Sequence, residues 1–199
     1  DTVVLSCVVP VLSRVFTKLS QKYFGLDAVV AGPDRICGMK VLVDEPFRVG
    51  SDRLVNALAA REFYGAPVIV VDFGTATTFD IVSTSGAYEG GVIAPGLLIS
   101  AEALFEKAAL LPNIELVRPD RVVGKNTQEA MRSGIFLGYV ALVDGLVERL
   151  FDELSMRPRV IATGGLSRAI AEESRYIEEV APNLTLDGLR IIGEAEKKR

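Results

Sequence analysis

Hydrophobic positions fall into distinct regimes along the chain, and each predicts its own kind of element. From Thr2 to Val9 the residues are mostly β-branched and apolar on both faces, the pattern of a buried strand that Pro10 ends. Leu12, Val15, Phe16, Leu19 and Tyr23 then recur at helical spacing, and Gly25 supplies the stop. Short apolar strips follow at Ala28–Ala31 and Val41–Val43. Beyond the Pro46 to Gly50 loop, Ser51 or Asp52 is placed to cap a helix reaching Tyr64. The middle changes character. Val68–Phe73, Thr77–Val82 and Ala87–Ile93 read as three strands joined by short Gly-containing breaks, an antiparallel meander closed by Pro95-Gly96. Helical spacing returns over Leu98–Leu111 and again over a long stretch from Thr127 to Leu154. A strand at Arg159–Thr163, a helix at Leu166–Glu173 and a closing helix at Leu186–Lys198 complete the series.

The strand-then-helix at Val3–Val9 is echoed at Arg159–Thr163, and only the second copy has a meander upstream. Two ordinary strand–helix units would give the same echo by coincidence. The alternative is a two-lobed α/β fold with mixed sheets flanked by helices and an incomplete first lobe. The expected boundary is Gly65-Ala66-Pro67. Residues 1–65 would form the remainder of an N-terminal lobe, and residues 66–199 a C-terminal lobe with the meander and long helix.

Composition then narrows the function. Of 199 residues, 49% are hydrophobic and 24% charged, enough apolar material for a packed core. A net charge of −4 gives no electrostatic reason to expect nucleic acid or an anionic membrane as partner. No apolar run reaches a bilayer's thickness. Cys7 and Cys37 are the sole cysteines and there is no histidine, so zinc and disulfide frameworks are not expected and a cytoplasmic location is. Without histidine, Ser-His-Asp and Cys-His catalysis are excluded. Chemistry must use carboxylates, hydroxyls, Lys or Arg, backbone amides or a bound ion.

Two segments meet that description. In Asp72-Phe73-Gly74-Thr75-Ala76-Thr77-Thr78, a carboxylate closes an apolar strand and hydroxyl residues line a glycine turn. This suits a phosphate chain with a cation: Asp72 would hold the ion and Thr75 would donate to phosphate oxygens. A plain hairpin turn also uses Asp and Gly, but it leaves a carboxylate against apolar neighbours unexplained. Gly50-Ser51-Asp52-Arg53 sets an acid and a base at a helix start. Asp52 could accept a hydroxyl proton while Arg53 grips a carboxylate through two parallel hydrogen bonds; an ordinary N-cap accounts for the spacing equally well. Thr163-Gly164-Gly165 offers backbone against which a nucleotide could lie, or simply a tight turn. Thr127 opens the long helix, whose Gly134 and Gly138 would admit a close neighbour, a second subunit among the candidates.

Four ordered stretches together resemble the type III pantothenate kinase family, a branch of the actin-like ATPase and sugar kinase superfamily: Glu45–Ala57, Val71–Thr78, Gly90–Gly96 and Ile161–Leu166. The resemblance implies transfer of the ATP γ-phosphoryl group to pantothenate. It implies Asp52 as general base, Gly50, Ser51, Asp52, Arg53 and Thr127 as substrate ligands, and Gly74, Thr75, Thr163, Gly164 and Gly165 at ATP. Asp72 would ligate a monovalent cation, potassium or ammonium, with Mg2+ also required, in a homodimer whose pantothenate pocket lies at the subunit interface. Ser51 stands where the family usually has alanine. The family's opening Asp-x-Gly-Asn-Thr phosphate loop does not occur in this sequence, so weak ATP binding and poor turnover are expected of this polypeptide alone. A non-catalytic nucleotide-binding regulator on the same fold is the alternative, and phosphorylation of another small hydroxy acid a third reading.

Overall fold

A computed structural model describes residues 1–107 and 114–198. Its elements are mixed α/β. In chain order they are β1 (Val3–Leu5), α1 (Pro10–Phe24), β2 (Ala28–Val30), α2 (Ser51–Tyr64), β3 (Val68–Phe73), β4 (Ala76–Val82), β5 (Tyr88–Pro95), α3 (Leu97–Lys107), α4 (Thr127–Leu154), β6 (Arg159–Gly164), α5 (Ser167–Ala171), β7 (Glu179–Val180) and α6 (Leu184–Glu196). A single 3-10 turn, Pro46–Arg48, precedes α2. The expected end of the third helix at Leu111 lies outside the described residues. Among those described, no helix is long and apolar enough to cross a membrane.

The chain forms two compact units. One comprises Asp1–Val70, Asp80–Gly91 and Asn183–Arg199; the other comprises Val71–Phe79 and Val92–Pro182. The sheet order β5-β4-β3-β6-β7 follows from hairpin turns between consecutive strands and a crossover to β6. β1 and β2 form a separate parallel pair, with Val3 opposite Ala28. The echo seen in the sequence has a structural counterpart: β1-α1-β2 and β6-α5-β7 are both strand–helix–strand units whose strands pair in parallel.

In the first unit, α2 is buried continuously from Leu54 to Ala60, with α6 packed against it. Gly188 of α6 brings the two backbones together: a β carbon there would lie 2.3 Å from the Val55 carbonyl oxygen. Thr185 Oγ1 donates to Asn56 Oδ1 at 2.7 Å, satisfying a polar group that has no access to solvent. The predicted N-terminal strand is shorter than its sequence pattern, since only Val3–Leu5 pairs and Pro10 opens α1 rather than merely ending β1. Helical periodicity located α1 correctly, yet Leu12, Val15, Phe16, Leu19 and Tyr23 are exposed, while Ser20 at the edge of that stripe is buried and donates to Leu26 O at 2.7 Å.

In the second unit, α4 spans the full predicted length from Thr127, and Asn126 caps it. Asn126 Oδ1 accepts from Glu129 N, and Asn126 Nδ2 donates to Glu129 Oε1, both at 2.9 Å. The Lys125 amide also donates to Glu129, and this bond holds the Glu129 carboxyl below the usual carboxylate range. A depressed folded value means the bond stabilises above the unfolded carboxyl range and fades as pH falls through the folded value. Urea midpoints of wild type and Glu129→Gln should therefore converge as pH drops through that window; a constant difference would refute the linkage. Further along α4, buried Asp144 accepts from Ser174 Oγ at 2.6 Å and from Arg175 Nε at 3.0 Å, fixing the loop before β7.

Candidate active site

The Gly50–Arg53 segment is built by the start of α2. Gly50 is the N-cap and supplies no side-chain cap, correcting the assignment of capping to Ser51 or Asp52. Asp52 instead reaches back along the first turn, its Oδ1 accepting from the Arg53 amide at 2.9 Å. That bond satisfies one of the orphan amides of the helix end and fixes the carboxylate where the dipole favours negative charge. Gly50 leaves room for that carboxylate, since a β carbon at that position would lie 2.5 Å from Asp52 Oδ1 and displace it. Ser51 Oγ shares a 2.8 Å hydrogen bond with Ser6 Oγ, tying the helix start to the segment after β1. Cys7, Val8, Gly32, Arg48, Gly50 and Ser51 contribute to the wall of a cavity of about 460 Å3. The cavity thus lies beyond the carboxyl ends of the parallel strands β1 and β2 and against a helix N-terminus, the usual place for a ligand in such sheets.

Arg53 leaves this segment in another direction. Its Nε donates to Asp80 Oδ1 at 2.7 Å, and Asp80 is wholly buried. Tyr88 O–H donates to the same carboxylate oxygen at 2.8 Å, and the guanidinium carbon lies 5.9 Å from the Tyr88 ring centre. Burial pushes the Tyr88 phenol far above its ordinary range, with Asp80 adding to the effect, so it remains a donor at every working pH. Arg53 Nη2 is buried without a hydrogen-bond partner. Sequence reasoning passed over Asp80 and Tyr88 as functional residues. The one signal available was a carboxylate inside Phe79-Asp80-Ile81-Val82, an apolar strand where a charge needs a partner.

The second cluster belongs to the other unit. Asp72, half-buried, ends β3 beside the exposed turn Gly74-Thr75, and Gly74 N donates to Ala76 O at 3.1 Å. Gly96 N donates to Thr75 O at 3.2 Å, and its missing side chain is essential, since a β carbon would lie 2.2 Å from that oxygen. Gly164 has φ +89°, and a β carbon there would meet Phe73 O at 2.6 Å and Asp72 Oδ1 at 2.7 Å. The structure thereby brings Asp72, Gly74, Thr75 and Gly164 together, with Gly96 behind the turn. Gly165 is exposed with open space around it, whereas the Thr163 side chain is buried. Thr77 and Tyr139 share a buried hydrogen bond, which anchors the strand beyond the turn to α4. Thr127 is the exposed first residue of α4. No group of three or more acidic or cysteine side chains suited to a metal occurs among the described residues. A cation at Asp72 would need carbonyl, hydroxyl or phosphate oxygens as its other ligands, a donor set that suits a hard cation.

The family model for type III pantothenate kinases matches residues 1–149. The chain is 53% identical over 195 residues to the type III pantothenate kinase of Geobacter sp. (strain M21), covering 98% of this chain and 77% of that protein. Against the same enzyme of Geobacter sulfurreducens it is 50% identical over 196 residues, with the same two coverages. Roseiflexus castenholzii provides a relative at 50% identity over 198 residues, covering 100% of this chain and 78% of its own. A solved structure from Campylobacter jejuni, described as of the Baf family, matches with TM-score 0.68 over 100% of this chain and 85% of that one, at 18% identity, which speaks to fold alone. With half of all positions shared along nearly its full length, the chain belongs to the type III pantothenate kinase family.

Proposed function

We propose that this protein transfers the γ-phosphoryl group of ATP to the hydroxyl of pantothenate, yielding 4′-phosphopantothenate and opening coenzyme A biosynthesis. The observation that carries the reading is the roughly 50% identity to type III pantothenate kinases across 98% of the chain. Asp52 orients the pantothenate hydroxyl and takes its proton as the bond to phosphorus forms, while Arg53 holds the carboxylate at the substrate's other end. Gly50, Ser51 and Thr127 complete the acceptor's contacts. Gly74 and Thr75 meet the ATP phosphates and Thr163, Gly164 and Gly165 the nucleoside. Phosphoryl transfer has a loose transition state, so the protein chiefly positions reactants and stabilises charge, work that needs no histidine.

Asp72 holds a monovalent cation, potassium or ammonium, and Mg2+ arrives with the nucleotide; together they supply positive charge to the phosphates. The clearance that Gly164 leaves beside the Asp72 carboxylate supports this assignment. A homodimer with the acceptor pocket at its interface belongs to the same reading. In support, Gly134, Gly138 and Gly145 lie on one side of α4 with no described atom within 4 Å of where their β carbons would be.

Incubation of the full-length gene product with ATP and pantothenate, followed by mass spectrometry, should show 4′-phosphopantothenate. Retained ATP binding with no product would favour the regulator instead. Wild-type activity should rise with potassium or ammonium, and Asp72→Asn should abolish that response. An unchanged salt response in the variant would remove Asp72 from the cation's ligands.

A further inference from the structure

The feature that reaches beyond these assignments is the buried pairing around Arg53. A guanidinium carries five N–H donors in a fixed plane. Here the Nε edge is already committed to Asp80, at 2.7 Å, and Asp80 is itself held by the Tyr88 hydroxyl at 2.8 Å. One ion pair and one hydrogen bond would suffice if the only need were to bury Asp80. Yet Nη2 is left buried and unbonded, which is unfavourable when nothing fills it. Asp80 meets the guanidinium through Nε alone, and the neighbouring Nη2 donor is left for another acceptor.

We infer that Asp80 and Tyr88 are positioning residues for acceptor specificity, holding Arg53 through Nε so that its Nη2 donor remains for the carboxylate of an acid substrate. The inference rests on the proposed role of Arg53 in gripping that carboxylate. It also alters the geometry of that grip. With Nε taken, a carboxylate cannot use the Nε–Nη side of the fork and must approach the guanidinium end-on. Tyr88 contributes more than its hydroxyl, because its ring lies alongside the guanidinium and restricts rotation about the side chain. Since the phenol is held protonated by burial, the clamp stays in one state across the working pH range.

The test is equilibrium binding of pantothenate and of its primary amide, measured by calorimetry on wild type, Asp80→Asn, Tyr88→Phe and Arg53→Ala. Asp80→Asn keeps the shape and removes the charge that fixes Arg53; Tyr88→Phe keeps the ring and serves if the first variant fails to fold. Wild type should prefer the acid. In Asp80→Asn, acid binding should weaken by about tenfold while amide binding stays within about twofold, so the preference collapses. Tyr88→Phe should act in the same direction to a smaller extent. Adding Asp80→Asn to Arg53→Ala should cause no further loss of preference, since the residue acted through is already gone. Equal weakening of acid and amide in Asp80→Asn would mean a merely structural role and would overturn the inference. If Arg53→Ala abolishes the preference but neither clamp variant changes it, the inference fails while the reading of Arg53 stands. If Arg53→Ala itself leaves the preference intact, both fall.

Discussion

Asp52→Asn should lower kcat by about 10²–10⁴-fold, leave pantothenate binding within a few-fold of wild type, and leave the melting temperature almost unchanged. The last expectation makes the experiment clean. In the folded chain Asp52 Oδ1 accepts from the Arg53 amide at 2.9 Å, and an asparagine carbonyl can accept the same bond. The first turn of α2 therefore keeps its satisfied amide, and the substitution removes only charge and proton affinity. Two contributions are lost together: acceptance of the hydroxyl proton, and the alignment of the alcohol oxygen with phosphorus. A carboxylate is a weak base for an alcohol, so alignment is the larger share. Asp52→Glu separates them, because it retains the base and displaces it by one methylene. A glutamate variant as slow as the asparagine variant would confirm that position dominates. A kcat for Asp52→Asn within about threefold of wild type would strip Asp52 of its role.

Sequence legibility divided along a physical line. Features fixed by neighbouring residues were readable. α4 matched its predicted bounds because a polar Lys-Asn-Thr opening precedes an uninterrupted, proline-free stretch with helical spacing. The hairpin at Gly74-Thr75 was readable because the break in apolar character is only two residues long. Features fixed by distant residues were not. β7 has two residues, Glu179 and Val180, and exists as a strand only because β6 is beside it. The apolar stripe of α1 gave the helix its period but could not say which way that stripe would face. The same distinction runs through the site. Gly50–Arg53 and Asp72–Thr75 announce themselves locally, by pairing charge with glycine. Asp80 does not, since its partners are 27 and 8 residues away and meet it only once the strands are paired.

Gly188→Ala should be among the most damaging single-methyl additions in the first unit, lowering unfolding free energy by about 2–4 kcal/mol. Alanine is ordinarily the better helix former, by about 1 kcal/mol per residue, so intrinsic propensity alone predicts stabilisation within α6. Packing reverses the sign. The new β carbon would lie 2.3 Å from the Val55 carbonyl oxygen and 2.6 Å from Val55 Cγ1. The valine side chain could rotate, but the carbonyl belongs to the continuously buried stretch of α2 and cannot move alone. Relief requires α6 to slide outward, which would also stretch the Thr185–Asn56 hydrogen bond and leave a buried amide unsatisfied. Gly193 on the same helix is the internal control. A β carbon there meets only Val4 Cγ2, at 3.2 Å, the end of a side chain that can yield. Gly193→Ala should therefore stay within about 1 kcal/mol of wild type, its helix propensity offsetting a small squeeze. Chemical denaturation of the two variants decides the matter: similar stabilities would mean that the α2–α6 contact tolerates separation, and the start of α2, with Asp52 and Arg53 on it, would then be less firmly held than this packing requires.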